Sequence, residues 1–369
     1  MKLLFFISSL RSGGAERVMS VLTNELAERD YKVTVALMTD SQSFYELDPR
    51  IKVKCFSFEK KNNFYGKLKN RLNLFSFIRN LSKEEKPDVI VSFIYQMNTN
   101  VLLSTRFLGI PVIVSEHNTL NKKMSMIEKL QRLYLSRWAD KLTILTQHDF
   151  NYLGNRLKNK VVMSNPLPFR PIDVYNEDRD KVILAVGSII RYNHKGFDNL
   201  VDIWSHIADR YPDWKLQIAG EFDEASLDHL NKIEQNKNHK NKIQYLGQVR
   251  DMTNLLKRSS IFILSSRWEG FPMVLIEAMS QGCACISYDL ISGPNEIITH
   301  NYDGVLVKDQ DKKEMVRELT LLIENQEKQK YLARNAIRSI NRFSVERTVD
   351  RWEELFKELI NIKKRSISR

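Results

Sequence analysis

Ser266-Arg267-Trp268-Glu269-Gly270-Phe271-Pro272-Met273-Val274-Leu275-Ile276-Glu277-Ala278 is the stretch whose reading decides the fold. It follows an apolar run, Ile261 to Leu264, that reads as a buried strand, and it opens a helix from about Met273 to Gln281. Gly270 lets the backbone approach a ligand, and Pro272 suits the first turn. The free N–H groups of that turn carry partial positive charge that attracts phosphate. Glu269 precedes the helix and Glu277 lies inside it, so the two carboxylates stand roughly a turn and a half apart. They can hold different parts of one extended ligand. Beside phosphates they would be repelled unless they serve neutral groups, such as the paired hydroxyls of a sugar. The spacing alone also suits an ordinary surface helix with a Glu near each end.

Outward from this stretch the same alternation continues. Strands are expected at Lys181 to Val186, Trp214 to Ala219, Ile243 to Leu246 and Ala284 to Ser287, with a helix from Phe197 to Arg210. An earlier set begins with a strand at Leu3 to Ile7. A helix at Ala15 to Arg29 follows, with Val18, Leu22 and Leu26 on one face, then strands at Tyr31 to Leu37, Val89 to Phe93 and Pro111 to Ser115. Apolar strands alternating with helices make a parallel sheet covered on both faces. Asn165-Pro166-Leu167-Pro168 and the polar residues to Asp180 read as a linker, because proline denies both helix and ladder hydrogen bonds. A last helix from Val345 to Ile362 carries Val345, Val349, Trp352, Phe356 and Leu359 as one apolar stripe that needs a surface to cover.

The expected fold is therefore α/β with two Rossmann-like domains facing a cleft, the usual ligand location in such folds. The domains are residues 1–170 and 171–344, and the helix of 345–369 crosses back to the first. The length of 369 residues suits two such cores, and 43% apolar residues suffice to fill them without disulfides. Cys55, Cys283 and Cys285 read as reduced, packed thiols. Met1-Lys2-Leu3-Leu4-Phe5-Phe6-Ile7 has an apolar stretch that stops at Ser8, which favours a buried strand over a signal peptide. No run reaches the length that crosses a bilayer, and Arg106 interrupts the best candidate, Val101 to Val114. A cytoplasmic protein is expected.

The formal charge of +12 calls for anionic partners. Residues 51–86 hold ten basic against three acidic side chains, and residues 121–141 six against two. Phe58, Phe64, Tyr65, Phe75 and Phe77 are interleaved with the first set, a mixture that suits the headgroup region of an anionic membrane. A solvated loop face is the plainer alternative. Nucleic acid is not the expected partner, because acidic residues line the proposed cleft.

The spacing from Glu269 to Glu277 resembles the E-x7-E motif of retaining GT-B glycosyltransferases of family 4, which includes bacterial polysaccharide and lipid-linked oligosaccharide enzymes. The resemblance covers nearly the whole chain. It implies that Glu269 sits by the donor sugar and Glu277 binds the nucleotide ribose, with Gly270, Phe271, Pro272, Met273 and Val274 holding sugar and diphosphate through their backbone. A second segment, Val186-Gly187-Ser188-Ile189-Ile190-Arg191-Tyr192-Asn193-His194-Lys195-Gly196-Phe197-Asp198, again joins strand to helix and resembles the family's G-R-x...K-G-x-D pattern. An Arg and a Lys four apart in a loop neutralise the charge that grows on a departing diphosphate. Ser188 stands where many members have Arg, so the Arg role passes to Arg191 and the Lys role to Lys195.

Ser12-Gly13-Gly14-Ala15-Glu16-Arg17 resembles the family's G-G-A-E-R loop, which makes Gly14, and more weakly Gly13 and Arg17, donor-side candidates. In the family a residue of the loop matching Ser115-Glu116-His117-Asn118 faces the donor sugar, so the resemblance implies His117 as the candidate for a hydrogen bond to a sugar hydroxyl, with a buried structural role as the alternative. Glu116 is expected to hold its ring. Ile291 to Ile298 resembles the G-P-x-E loop, with Glu296 as a weaker candidate, and Asp303 to Val307 reads as turn and strand.

The resemblance implies a retaining transfer of a hexose or N-acetylhexosamine from a UDP-sugar to a saccharide acceptor, polyprenyl-linked, at the inner face of the membrane. A leaving phosphate oxygen would take the acceptor proton. No metal or cofactor is expected. The nearest D-x-D pattern, Asp178-Arg179-Asp180, falls in the presumed linker, and Arg191, Lys195 and the helix end supply the positive charge. Alternatives are a nucleotide-sugar epimerase of the same architecture and a non-catalytic, membrane-associated scaffold.

Overall fold

The computed structural model describes residues 1–11, 13–39, 43–57, 64–118, 132–235 and 243–367. Ser12, Phe58 and residues 121–131 of the second basic stretch lie outside these. The chain divides into two compact units, Met1–Pro168 with Phe343–Arg369, and Phe169–Arg342.

The first unit is built on strands β1 (Lys2–Ile7), β2 (Lys32–Leu37), β3 (Lys52–Cys55), β4 (Val89–Phe93), β5 (Val112–Ser115), β6 (Lys141–Ile144) and β7 (Lys160–Val162). They form one parallel sheet in the order β3-β2-β1-β4-β5-β6-β7. In β1 every residue after Lys2 is buried, as expected of a central strand with helices on both faces. Helix Gly14–Glu28 buries Val18, Met19, Leu22 and Leu26. The strand expected from Tyr31 begins at Lys32.

Strand β3 carried no apolar signal because all four of its residues are exposed at the sheet edge. Its last residue, Cys55, is correspondingly exposed, which corrects the reading of all three cysteines as packed.

The C-terminal helix, Val345–Ile367, belongs to this unit. Val349, Trp352, Phe356 and Leu359 are buried along it. The Trp352 indole lies nearly parallel to the ring of Phe93 at the end of β4, with centroids 6.4 Å apart. Arg29 reaches Asp350 at 2.5 Å and Glu353 at 3.2 Å, and Lys141 pairs with Glu358 at 2.8 Å.

The second unit holds β8 (Asp180–Val186), β9 (Lys215–Ala219), β10 (Ile243–Gly247), β11 (Ser259–Leu264), β12 (Ala284–Asp289) and β13 (Val305–Lys308). They are again all parallel, in the order β10-β9-β8-β11-β12-β13. Ile183, Ile218, Ile261 and Ile286 from four of these strands pack with Leu200, Trp204 and Leu319 from helices. Cys283 and Cys285 are in this unit, and burial pushes the Cys283 thiol up to about 11. The helix expected to run from Phe197 to Arg210 ends at Ser205, and a 3₁₀ turn, Ala208–Arg210, follows it.

The segment read as a linker holds the boundary between the two units, at Pro168, and parts of it are tied down by hydrogen bonds. Leu167 is 1% exposed and its N–H donates to the carbonyl of Phe343, while Ile172 N–H donates to Ser280. The Arg179 guanidinium donates to the carbonyls of Leu256, Ser259 and Gln281. Proline removed the local ladder bonds, and tertiary partners replaced them.

In each sheet the strand order reverses beside the first strand, between β1 and β4 and between β8 and β11. In open parallel sheets ligands bind outside the carboxyl ends of the strands at such a reversal.

If the C-terminal helix is core to the first unit, Trp352→Ala leaves a large cavity against Phe93. We expect a loss of about 3–5 kcal/mol in chemical denaturation. A change below about 1 kcal/mol would show that the helix is a detachable tail.

Candidate functional site

The two strongest sequence motifs follow β8 and β11, the neighbours at the reversal of the second sheet. After β8 the chain turns through Gly187 into a 3₁₀ turn, Ile189–Arg191, and one helical turn, Tyr192–Lys195. The segment expected as a loop for Arg191 and Lys195 is thus helical, and the two cations differ in burial. Arg191 is exposed, whereas Lys195 turns inward along Gly187, whose missing side chain leaves room for the Lys195 methylenes. Gly196 then adopts φ 66°, and a Cβ there would overlap the carbonyl oxygen of Ser265. That close approach seats the Lys195 turn against the end of β11, where Ser265 Oγ donates to the Lys195 carbonyl at 2.8 Å.

Lys195 Nζ donates to Glu269 Oε1 at 2.8 Å, and Ser266 Oγ donates to the same oxygen at 2.6 Å. Their side chains are only 13% and 12% exposed. Burial alone would raise the Glu269 pKa, but the Lys195 charge and hydrogen bond, helped by Ser266, outweigh it and hold the carboxyl below its usual range. The Glu269 carbonyl accepts from Ser292 Oγ at 3.0 Å, which ties this loop to the one before Glu296. Glu296 is half-buried on the short helix Pro294–Ile297.

Arg267 makes a two-pronged pair with Asp198, at 2.8 and 2.7 Å, and its N–H donates to the His194 carbonyl. The His194 ring stacks on Trp268 at 4.5 Å. These contacts clamp the two motif segments side by side.

Helix Met273–Ser280 begins three residues after Gly270, with Pro272 as its N-cap rather than in its first turn. Phe271, Pro272 and Met273 are buried, and Val274 is half-buried. Glu277 is 1% exposed. The expected pair of carboxylates therefore differs in setting, Glu269 being held by Lys195 and Ser266 and Glu277 enclosed within the helix packing.

In the first unit, Gly13 and Gly14 follow β1 and start helix Gly14–Glu28. The Tyr45 hydroxyl donates to the Gly13 carbonyl at 3.1 Å and accepts from its N–H at 3.3 Å, and Arg17 lies over the Tyr45 ring. The sequence reading had no signal for Tyr45, which is distant in the chain.

His117 follows β5. Its ring stacks on Phe93 at 4.5 Å, and its Nε2 is 3.0 Å from Ser115 Oγ. Burial pushes its pKa down to about 3, so the imidazole is neutral at physiological pH. Glu116 does not hold this ring, contrary to expectation. Adjacent residues at a strand end point to opposite sides. Glu116 is 3% exposed and pairs with Arg132, with Asn98 Nδ2 donating to it at 3.4 Å.

Two family models cover most of the chain, glycosyl transferases group 1 over residues 172–339 and glycosyltransferase family 4 over residues 12–163. The chain belongs to the family 4 glycosyltransferases. It is 29% identical to the amylovoran biosynthesis glycosyltransferase AmsD of Erwinia amylovora, over 96% of this chain and 99% of that one. It is 27% identical to the GalNAc-alpha-(1->4)-GalNAc-alpha-(1->3)-diNAcBac-PP-undecaprenol alpha-1,4-N-acetyl-D-galactosaminyltransferase of Campylobacter jejuni, over 98% and 99%. Among solved structures, Anabaena HepE in complex with UDP and glucose matches with a TM-score of 0.82 at 19% identity, over 97% of this chain and all of that one. The glycosyltransferase therefore has the GT-B fold.

Sequence reasoning overlooked Ser266 and Asp198 although both stand in the quoted motifs, because nothing in their spacing says which partner a short polar side chain will find. Two outcomes test the site's electrostatics. Lys195→Met strands the Glu269 carboxylate in a partly buried place, and we expect a loss of about 3 kcal/mol at neutral pH by denaturation. His117 has a folded pKa below its ordinary 6.5, so the unfolded chain binds the proton first. Its contribution is intact above that pH and falls by about 1.4 kcal/mol per unit as pH drops further. His117→Gln should flatten the stability profile between pH 6.5 and 4, and an unchanged slope would remove the residue from the account.

Proposed function

We propose that this glycosyltransferase moves a hexose or N-acetylhexosamine from a UDP-sugar to a saccharide carried on a polyprenyl diphosphate, with retention at the anomeric carbon. The observation that carries the reading is the Lys195–Glu269 pair at the reversal of the second sheet, next to the start of the helix that contains Glu277. It supplies a cation for a departing diphosphate, a carboxylate for sugar hydroxyls and a second carboxylate for a ribose diol. The donor class is supported by the UDP and glucose named with HepE, and the acceptor class by the undecaprenol-linked saccharide named for the Campylobacter relative.

In this reading Glu277 accepts from the ribose, and Lys195 and Arg191 neutralise the diphosphate together with the backbone N–H groups from Gly270 to Val274. Glu269 and the neutral His117 bind sugar hydroxyls, Gly13, Gly14 and Arg17 border the donor, and Glu116 and Glu296 support their loops. The bond from the anomeric carbon to the diphosphate oxygen breaks, and the acceptor oxygen attacks from the same face. The released diphosphate oxygen takes the acceptor's proton. With two cations and a helix end on the leaving group, the transfer as proposed requires no metal. Neither an epimerase nor a scaffold is favoured by any particular contact.

The first test is calorimetric titration of UDP, GDP, ADP and CMP, with sugar transfer from UDP-sugars followed by product stereochemistry. UDP should bind best, and Glu277→Gln should weaken it by about 1.5–3 kcal/mol. Equal affinity for all four nucleotides, or an inverted anomeric product, would sink the reading.

A membrane-facing site is supported by helix Phe64–Glu85. Tyr65, Leu68 and Leu72, at 80%, 48% and 59% exposure, recur at helical spacing on one side, flanked by exposed Lys69 and Arg71. No helix among the described residues is long and apolar enough to cross a membrane. We therefore propose peripheral attachment at the inner face. The enzyme should float with anionic liposomes at low salt, and Leu68→Ser with Leu72→Ser should leave it in the bottom fraction. Equal flotation of this variant would place the contact elsewhere.

A further inference from the structure

His117 is held by a chain of hydroxyls that begins on the neighbouring strand. Ser115 and Thr143 are register partners across β5 and β6, so their side chains stand together on one face of the sheet. Both are buried, at 2% and 1% exposure. Thr143 Oγ1 is 2.7 Å from Ser115 Oγ, which is 3.0 Å from His117 Nε2. His117 Nδ1 is buried and has no hydrogen-bond partner among the described residues.

A neutral imidazole carries one proton, and the hydroxyls between them decide where it sits. If Nε2 held it, Nε2–H would donate to Ser115, Ser115 would donate to Thr143, and the Thr143 O–H would have no acceptor among the described residues. The bare lone pair of Nδ1 would also go unused. That arrangement leaves two buried polar groups unsatisfied. In the opposite direction Thr143 donates to Ser115, Ser115 donates to Nε2, and only Nδ1–H is left over. Each unsatisfied buried group costs on the order of 1–3 kcal/mol, so the second arrangement wins.

We propose that Thr143 and Ser115 are positioning residues that fix His117 as its Nδ1–H tautomer, so that Nδ1–H is a ready donor to an oxygen of the bound substrate. Phe93 stacks on the ring and fixes its plane, and the two hydroxyls fix its rotation about that plane. The donor is set before substrate arrives, because the relay belongs to the sheet and not to the ligand. The proposal rests on the reading that His117 faces the donor sugar.

The test is nitrogen-15 NMR of the full-length enzyme with labelled histidine, paired with steady-state kinetics of sugar transfer. The wild type should show His117 Nε2 unprotonated and Nδ1 protonated. Ser115→Ala should move the signal towards the Nε2–H form and lower kcat/KM roughly tenfold. Ser115→Thr should restore both, and Thr143→Val should act like a weaker Ser115→Ala, which covers the case in which one variant fails to fold. A wild-type Nε2–H tautomer, or an unchanged tautomer in Ser115→Ala, overturns the proposal. The parent reading has its own readout. Asn places an amide N–H where Nδ1–H stood and Gln does not, so His117→Asn should retain more activity than His117→Gln. Full activity in both, with the tautomer as proposed, would keep the relay and remove His117 from the sugar site.

Discussion

The ion pair of Lys195 with Glu269 exists because β8 and β11 are neighbours although 74 residues separate the two side chains in sequence. Parallel strands need long crossovers, so the two segments that leave the carboxyl ends of adjacent central strands come from distant parts of the chain. A lysine and a glutamate placed there would each be costly to bury alone, and they are kept partly buried by meeting each other. Gly187 and Gly196 make the meeting possible, one by yielding space to the Lys195 stem and the other by letting the backbone touch Ser265.

The first unit uses the same sheet logic with different chemistry. At its carboxyl edge Thr143, Ser115, His117 and Phe93 are joined by neutral hydroxyls and ring stacking, beside the ion pair of buried Glu116 with Arg132. Ile94, immediately after β4, sits at φ 72°, a conformation that a β-branched residue avoids unless its surroundings impose it. Its N–H donates to the Ser115 carbonyl and its own carbonyl accepts from Asn98 N–H, so the distortion is held in place by the loop that carries His117. The strain and the proposed function therefore share one edge of the sheet. Phe93 also connects that edge to the C-terminal helix, since its ring stacks on His117 and lies parallel to Trp352.

Apolar runs in β1, β4, β8 and β11 were legible because strands buried on both faces must be apolar throughout. So was the stripe of the last helix. The exposed strand β3 and the three-residue β7 were not, since an edge strand is defined by its hydrogen bonds and not by its side chains. The linker, which does hold the boundary between the units, shows the converse, because proline predicts where local hydrogen bonds fail and says nothing of Arg179 supplying others from a distance.

By itself the sequence determined that two parallel sheets would form, and which loops would carry carboxylates, cations and glycines, because hydrophobic period and turn chemistry are local properties. Only the tertiary structure decided how those groups are paired. Lys195 could have stood in solvent like Arg191. Glu116 could have held the imidazole that Ser115 holds. Those outcomes turn on a few ångströms of backbone approach and on which side of a strand a residue faces. Strand register and strand neighbours set both, and they are properties of the whole sheet that no short segment encodes.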